Sequence, residues 1–178
     1  MNKKILIAVP TSKYIESETF KSIYNLLIPE DCEVDFQYFY GYRVDQVRNL
    51  IADWGKLYTH VFFVDHDITF ASDTLIKMLS YNVPIITGLY RQRKSEQVLE
   101  IYDKEYRNWD ISGYTSLTEI GACGFGCVLV ESRVLNEVGY PQFEYHPALD
   151  HKNTFSEDVD FCKKANNKGF AIYADPSI

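Results

Sequence analysis

The stretch His60-Val61-Phe62-Phe63-Val64-Asp65-His66-Asp67 carries the strongest information about the fold. Its four consecutive apolar residues, 61–64, predict a short central strand that is covered on both faces, as in a parallel sheet. Asp65 and Asp67 follow directly, and side chains at positions i and i+2 of an extended chain project to the same side. Because the carboxyl ends of parallel strands open onto the ligand crevice of the sheet, both aspartates are predicted to face a ligand.

The segments on either side of this strand alternate between the apolar periods of strands and helices. The predicted strands of the first half are 4–9, 34–40, 60–64 and 83–89. The predicted helices between them are 17–27, 44–55 and 73–79, the last of them capped by Ser72. This β-α-β-α-β-α-β order predicts an α/β fold with a Rossmann-like, mostly parallel central sheet, right-handed crossovers and flanking helices.

The second half of the chain has shorter predicted elements. Strands, some of them antiparallel, are predicted at 96–106, 117–120, 127–131 and 170–174, with a glycine-rich turn at 121–126. Helices are predicted at 132–139 and 156–167, capped by Ser132 and Ser156, with an irregular loop at 140–154 between them. Since no repeat or linker interrupts the sequence, we expect one domain over residues 1–178, with 1–95 and 96–178 as its two halves.

Composition and charge exclude several classes of protein. The chain has 178 residues, with 18 lysines and arginines against 25 aspartates and glutamates, a formal net charge of −7. This balance argues against bulk binding to nucleic acid or to an anionic bilayer, since both need a basic face. The four cysteines lack the spacing of a disulfide framework or of a zinc site. No apolar stretch is long enough for a signal peptide or for a membrane helix. We therefore expect a cytoplasmic protein with reduced thiols.

The two aspartates suggest a particular cofactor. Two carboxylates at one strand end repel each other unless a cation lies between them, and hard oxygen ligands favour Mg²⁺ or Mn²⁺, which often bridge to phosphates. The alternative is that Asp65 and Asp67 cap the following turn. The first strand is followed by Pro10-Thr11-Ser12-Lys13-Tyr14 and not by GxGxxG, and no Walker loop occurs. A Rossmann dehydrogenase or a P-loop enzyme is therefore disfavoured.

Asp65-His66-Asp67 after an apolar strand resembles the DxD motif of GT-A-fold glycosyltransferases of the family 2-like type. Further segments resemble parts of that family in the same order, along nearly the whole chain. Residues 9–11 resemble the part that holds the nucleoside, and 44–49 resemble the helix start near the nucleotide and diphosphate. Residues 86–90 resemble the strand that reaches the donor sugar, 121–130 the glycine-rich turn on the acceptor side, and 155–162 the Glu-Asp motif at a helix start. The resemblance thus makes 1–95 the nucleotide-sugar-binding half and 96–178 the acceptor-side half.

The resemblance implies an enzyme that transfers a sugar from a nucleotide-sugar, expected to be a UDP-sugar, to an acceptor hydroxyl. The acceptor stays open among a glycan, a lipid-linked saccharide, a protein and a modified base. The implied cofactor is Mn²⁺ or Mg²⁺ on Asp65 and Asp67, and the implied catalytic residues are Asp158 and Glu157. The implied donor-binding residues are Pro10, Thr11, Tyr14, Asp45, Arg48, Asp65, His66, Gly88, Tyr90, Arg91, Gly124 and Gly126.

Several of these residues also have plainer interpretations. Arg48 either pairs with a phosphate through its guanidinium fork or is a solvated helix residue. Asp45 either contacts the nucleoside or is a helix N-cap, and Tyr14 is a candidate to stack on the base. The charge run 91–94 either meets the diphosphate or belongs to a solvated loop. The glycines within 121–126 either let a sugar approach the backbone or form an ordinary tight turn.

Asp158 is the candidate general base. It lies at a predicted helix start, where the helix dipole favours a carboxylate, and it would accept the proton of the acceptor hydroxyl. In an enzyme that retains configuration it would position the sugar or the acceptor instead. Glu157 lies about 100° away around the helix, so the two side chains are not expected to reach one atom. The alternative is that both acids simply favour a helix N-terminus.

Many GT-A enzymes supply a further histidine ligand after the strand that follows the Glu-Asp helix, and that position would follow Asp175-Pro176-Ser177-Ile178. Three alternatives stay open: water and phosphate complete the metal shell, the sequence is a shortened core, or His146 or His151 takes the place of that ligand. Two other functions stay open. One is a nucleotidyltransferase acting on sugar phosphates, although the turn after the first strand lacks the glycines and arginines that this chemistry usually needs. The other is a non-catalytic nucleotide- or carbohydrate-binding module on the same scaffold.

Overall fold

The computed structural model describes residues 2–92, 95–146 and 156–178, which form eleven strands and five helices. The strands are β1 (Lys3–Thr11), β2 (Cys32–Tyr40), β3 (His60–Val64), β4 (Ile85–Gly88), β5 (Arg91–Gln92), β6 (Ser95–Leu99), β7 (Ile101–Tyr102), β8 (Thr118–Ile120), β9 (Ala122–Cys123), β10 (Cys127–Glu131) and β11 (Ile172–Asp175). The helices are α1 (Ser17–Tyr24), α2 (Val44–Gly55), α3 (Thr74–Ser80), α4 (Ser132–Val138) and α5 (Glu157–Asn167).

Seven strands form one mixed sheet in the order β2-β1-β3-β10-β4-β11-β8. β1 pairs in parallel with β2 and β3, and β4 pairs in parallel with β11. β10 runs antiparallel between β3 and β4, and β8 is antiparallel to β11. The sheet is therefore mostly parallel, as predicted, but a strand of the second half lies between two strands of the first.

Both faces of the central strands are buried, which confirms the interpretation of the apolar run. Residues 61–64 of β3 and 5–9 of β1 are 0–2% exposed. Alternate residues of these strands belong to two separate apolar clusters, one with α2, α4 and α5 and the other with α1 and α3. In the first cluster Phe143 and Phe161 stack with ring centroids 4.7 Å apart, and both contact Phe125 at 5.1 Å. This packing fixes the start of α5 beside the end of β3.

Several predicted helix ends were wrong. α1 ends at Tyr24 because the backbone N–H of Leu27 bonds Ser72 O, at 2.9 Å, instead of continuing the helix. Asp73 and not Ser72 is the N-cap of α3, and α4 begins at Ser132 itself. Ser156 is the N-cap residue of α5, but its side chain makes no capping bond to the backbone.

All four cysteines are free thiols, as expected. Among the described residues, no helix is long and apolar enough to cross a membrane.

Candidate functional site

A pocket of about 240 Å³ lies where β1 and β3 end, beside the start of α2. Six of the predicted donor or metal residues line it, namely Pro10, Thr11, Arg48, Asp65, His66 and Asp67. Two further lining residues, Val44 and Val47, belong to segment 44–49, which the resemblance assigned to the nucleotide and diphosphate. Ser12, Gly41 and Tyr42 also line the pocket and were not predicted as site residues. Tyr42 is 98% exposed. A large aromatic side chain directly after a strand end was the sequence feature that could have indicated a site residue here.

Backbone hydrogen bonds position the two strand ends that form this pocket. Asp65 N donates to Gly126 O over 3.0 Å, and Ile68 N donates to Asp65 O over 3.2 Å, so residues 65–68 turn away directly after β3. At the end of β1, the Thr11 hydroxyl donates to Tyr14 O over 2.7 Å and accepts a bond from Lys13 N. These contacts hold both turns at the same edge of the sheet.

Arg48 is the central charged group of the site. It is 3% exposed, so the interpretation of a solvated helix residue was wrong. Its Nη2 donates to Asp65 Oδ1 over 3.1 Å, and its Nη1 donates to Glu157 Oε1 and lies 3.7 Å from Asp158 Oδ2. Burial lowers the pKa of Arg48, but the three carboxylates outweigh burial and raise this pKa above its ordinary value. The guanidinium is therefore charged and engaged by protein carboxylates.

Glu157 and Asp158 both approach Arg48 Nη1, so the expectation that they could not reach one atom was wrong. The longer glutamate side chain and the shorter aspartate side chain converge from neighbouring positions of α5. Asp158 Oδ1 also accepts bonds from the Ser156 hydroxyl and, at 3.0 Å, from Val159 N. Burial raises the pKa of Glu157 and prevails over the opposing effect of Arg48.

Tyr90 fills the space next to the glycine-rich turn. Gly126 N donates to the Tyr90 hydroxyl over 2.9 Å. A Cβ at Gly124 would overlap that hydroxyl oxygen, and a Cβ at Gly126 would lie 2.8 Å from Tyr90 Cζ. The two glycines thus accommodate this ring, and their contact with a sugar stays a prediction. Burial raises the pKa of Tyr90 well above its ordinary value, so the hydroxyl stays protonated at neutral pH.

Other predicted donor residues lie outside the residues that line the pocket. Asp45 is in the first turn of α2 and pairs with the N-cap residue Arg43, at 2.6 Å, so it is not the N-cap itself. A Cβ at Gly88 would lie 2.7 Å from Ile178 Cγ2, and Arg91 is an exposed residue of β5. Residues 93 and 94 and His151 lie outside the described residues.

Tyr14 lines a neighbouring cleft of about 220 Å³ that shares Thr11 with the pocket. Phe20, Tyr38 and Tyr40 also line this cleft. The Tyr14 ring meets His66 edge-on, with centroids 6.2 Å apart.

His146 belongs to a second group of potential metal ligands. Ligand atoms of Glu144, His146 and Asp160 lie within 4.8 Å of one another. Lys164 Nζ lies 2.7 Å from Glu144 Oε2 and 2.7 Å from Asp160 Oδ2, so one ammonium is shared by both carboxylates and offsets part of their charge. A divalent ion at this group would compete with Lys164 for these carboxylates.

No protein-family model matches the chain, and no curated protein sequence matches it. Solved structures do match in three dimensions. A197 from STIV is similar with a TM-score of 0.67 and 17% identity, covering 96% of this chain and 81% of A197. GalNAc-T7, solved with UDP, GalNAc and Mn²⁺, is similar with a TM-score of 0.64 and 12% identity, covering 98% of this chain. The fold is GT-A-like.

GalNAc-T7 has the GT-A fold, and this chain is similar to it in fold. The chain matches only 42% of the length of GalNAc-T7. At these identities the similarity extends to the fold, and the chemistry of the site rests on the residues that line it.

Proposed function

We propose that this chain is a glycosyltransferase that moves a sugar from a UDP-sugar to an acceptor hydroxyl. The observation that carries the proposal is the shared pocket. Residues from β1, α2 and β3, which the DxD resemblance selected from the sequence, line one cleft at the carboxyl edge of a GT-A-like sheet. Ligands of open α/β sheets bind at this edge.

The nucleoside would bind at the end of β1. Pro10 and Thr11 line the pocket, and Tyr14 lines the adjoining aromatic cleft with Tyr38 and Tyr40. Aromatic faces stack on a base, and tyrosine hydroxyls offer hydrogen bonds at the edge of the ring. Since the cleft and the pocket share Thr11, a base in the cleft and a diphosphate in the pocket suit one extended ligand.

Asp65 and Asp67 would hold the divalent cation, and the charges of the site fit one. The carboxylates of Asp65, Glu157 and Asp158 surround the guanidinium of Arg48, so acidic groups outnumber this cation there. Carboxylate oxygens are the ligands that Mg²⁺ and Mn²⁺ prefer. When bound, such an ion supplies positive charge for the diphosphate that departs.

Asp158 would accept the proton of the acceptor hydroxyl. As the hydroxyl oxygen bonds to the anomeric carbon, the bond from that carbon to the diphosphate oxygen breaks and UDP leaves. The Ser156 hydroxyl and Val159 N bond Asp158 Oδ1, while Asp158 Oδ2 lies towards Arg48 at 3.7 Å. These contacts orient the carboxylate. In a retaining transfer the same carboxylate would position the acceptor.

The test is UDP release from a panel of UDP-sugars with Mn²⁺, with and without simple sugar acceptors. We expect turnover with at least one donor and its loss, by about 100-fold or more, in Asp67→Ala. His146→Ala is the matched control, since it alters the other potential ligand group and should retain activity. Full turnover by Asp67→Ala would show that the metal role is wrong, and no turnover with any donor would contradict the enzyme proposal.

A non-catalytic nucleotide-binding module is the second candidate. The observation that favours it is that Glu157 and Asp158 both pair with a buried arginine, as in a purely structural ion network. Metal-dependent UDP binding without turnover on any donor or acceptor would favour this function.

A further inference from the structure

A separate cleft lies between α2 and the segment that follows α4. Its volume is about 550 Å³, within the range of pockets that hold small molecules. One wall consists of four residues of α2 and the residue that follows the helix, namely Gln46, Asn49, Leu50, Asp53 and Lys56, and Tyr140 and Gln142 form the other. The residues of α2 that line the donor pocket are 44, 47 and 48. With 3.6 residues per turn, the two sets lie on opposite sides of the helix.

The cleft is fixed by the fold. Asn49 Nδ2 donates to Phe143 O over 2.7 Å, and Asn49 Oδ1 accepts a bond from Phe143 N at 3.1 Å. This double hydrogen bond holds the segment after α4 against α2. The ring of Phe143 is buried among other aromatic rings of the core. The two walls therefore keep their separation without a ligand.

Gln142 supports one wall of this cleft from within. It is 2% exposed, and its Nε2 donates to Leu135 O over 3.3 Å, which ties the segment after α4 to that helix. Its Oε1 is buried, so a ligand in the cleft does not reach this atom.

The remaining lining groups combine apolar surface with balanced charge. Tyr140 is 83% exposed and Leu50 is 46% exposed, so both offer apolar area to a ligand. Asp53 and Lys56 pair with each other at 2.6 Å, which leaves the lining without net charge. Neither an anion nor a cation is therefore favoured over a neutral ligand.

We propose that this cleft binds a neutral saccharide. A sugar ring has an apolar face that packs on an aromatic ring such as Tyr140, and hydroxyls that both donate and accept hydrogen bonds. Asp53 offers acceptors, and Lys56 offers donors. The site lies about one helix width, roughly 10 Å, from the donor pocket. The inference goes beyond the proposed transferase and does not depend on it, because neither the nucleotide nor a metal takes part.

The experiment titrates the isotope-labelled protein, without nucleotide or metal, with methyl glycosides of common hexoses and N-acetylhexosamines and with their disaccharides. We expect saturable shifts of backbone amide signals within 46–56 and 140–142 with at least one of them, at a dissociation constant of about 1 mM. Tyr140→Ala should weaken binding at least about tenfold, and Tyr140→Phe should retain it because the ring remains. Tyr24→Ala, which removes a similarly exposed tyrosine from α1, is the matched control and should bind as the wild type does.

Three results would overturn the proposal. The first is the absence of saturable shifts with every saccharide of the panel. The second is binding that maps to another surface or is unchanged in Tyr140→Ala. The third is inorganic phosphate producing the same shifts at the same concentrations, since a neutral-ligand site gives phosphate no advantage. The proposed transferase would survive each of these results, because its own test measures UDP release from a different pocket.

Discussion

Arg48 Nη2 lies 3.1 Å from Asp65 Oδ1 and joins the middle of α2 to the end of β3. The other terminal nitrogen of the same guanidinium donates to Glu157 at the start of α5. One buried cation thus connects the proposed metal-binding side of the site to the proposed acceptor side. The predictions below follow from this relationship and from the packing around it.

Replacing Arg48 should strongly destabilise the protein. Arg48→Met leaves the carboxylates of Asp65, Glu157 and Asp158 without their shared partner, and breaking a buried ion pair from one side costs about 3–5 kcal/mol. Urea denaturation measures this loss. Arg107→Met is the matched control, because Arg107 also pairs with two carboxylates but is 72% exposed, so solvent screens its pairs and the loss of stability should be much smaller. Equal losses for the two variants would contradict the structural role of Arg48.

Glu157 should make stability depend on pH. Burial raises its pKa in the folded state above the ordinary value of 4.5, so the folded state holds this proton more tightly than the unfolded chain does. The stability that this proton contributes is fully present below pH 4.5 and is lost as pH rises through the raised pKa. Glu157→Gln cannot lose a proton. Its free energy of unfolding, relative to the wild type, should therefore increase between about pH 4 and pH 7.

Chemical denaturation at a series of pH values and constant ionic strength measures this difference. A difference that stays constant or decreases as pH rises would show that Arg48, and not burial, controls the protonation of Glu157.

Gly124→Ala should destabilise the protein by about 1–3 kcal/mol, because the new methyl group overlaps the Tyr90 hydroxyl. Tyr90→Phe removes that oxygen and should recover part of the loss in the double variant. Gly126→Ala is the comparison, since its methyl group would meet the ring carbon Cζ, at 2.8 Å, which Tyr90→Phe retains. Thermal unfolding of the three single variants and of the two double variants measures the coupling energy between Tyr90→Phe and each glycine substitution. Recovery in both pairs, or in neither, would contradict this account of the turn.

The sequence predicted those features that depend on local pattern. The boundaries of β3, α2 and β10 are the predicted ones, because a continuous apolar run and a 3.6-residue period are local properties. Pro10, Arg48 and Asp65 share a pocket because strand ends and helix starts meet at one edge of a parallel sheet.

Pairing over long distances was not predictable in this way. β10 pairs between β3 and β4, although nothing in its apolar sequence specifies its neighbours. Arg48 reads locally as a solvated helix residue, yet its partner Glu157 lies 109 positions later in the chain. Gly124 reads locally as part of a tight turn or of a surface that a sugar approaches, but the ring that it accommodates belongs to Tyr90. These features depend on tertiary packing, which a single sequence does not reveal.

The two potential metal-ligand groups can be separated by substitution. Asp160→Asn removes a carboxylate that already pairs with Lys164, at 2.7 Å, so metal-dependent binding of UDP should change less than about twofold. Differential scanning fluorimetry with and without Mn²⁺ and UDP measures the stabilisation that binding gives. If Asp160→Asn abolished that stabilisation while Asp67→Asn retained it, the cation would bind at the second group.

Calorimetric titration of the wild-type protein and of Asp67→Asn with UDP, with and without Mn²⁺, tests the central claim most directly. We predict binding by the wild type that requires Mn²⁺ and that weakens at least about tenfold in Asp67→Asn, equivalent to about 1.4 kcal/mol or more. Binding of equal strength by both proteins, or no binding by the wild type with Mn²⁺ present, would contradict the assignment of this pocket to a metal-bound nucleotide-sugar.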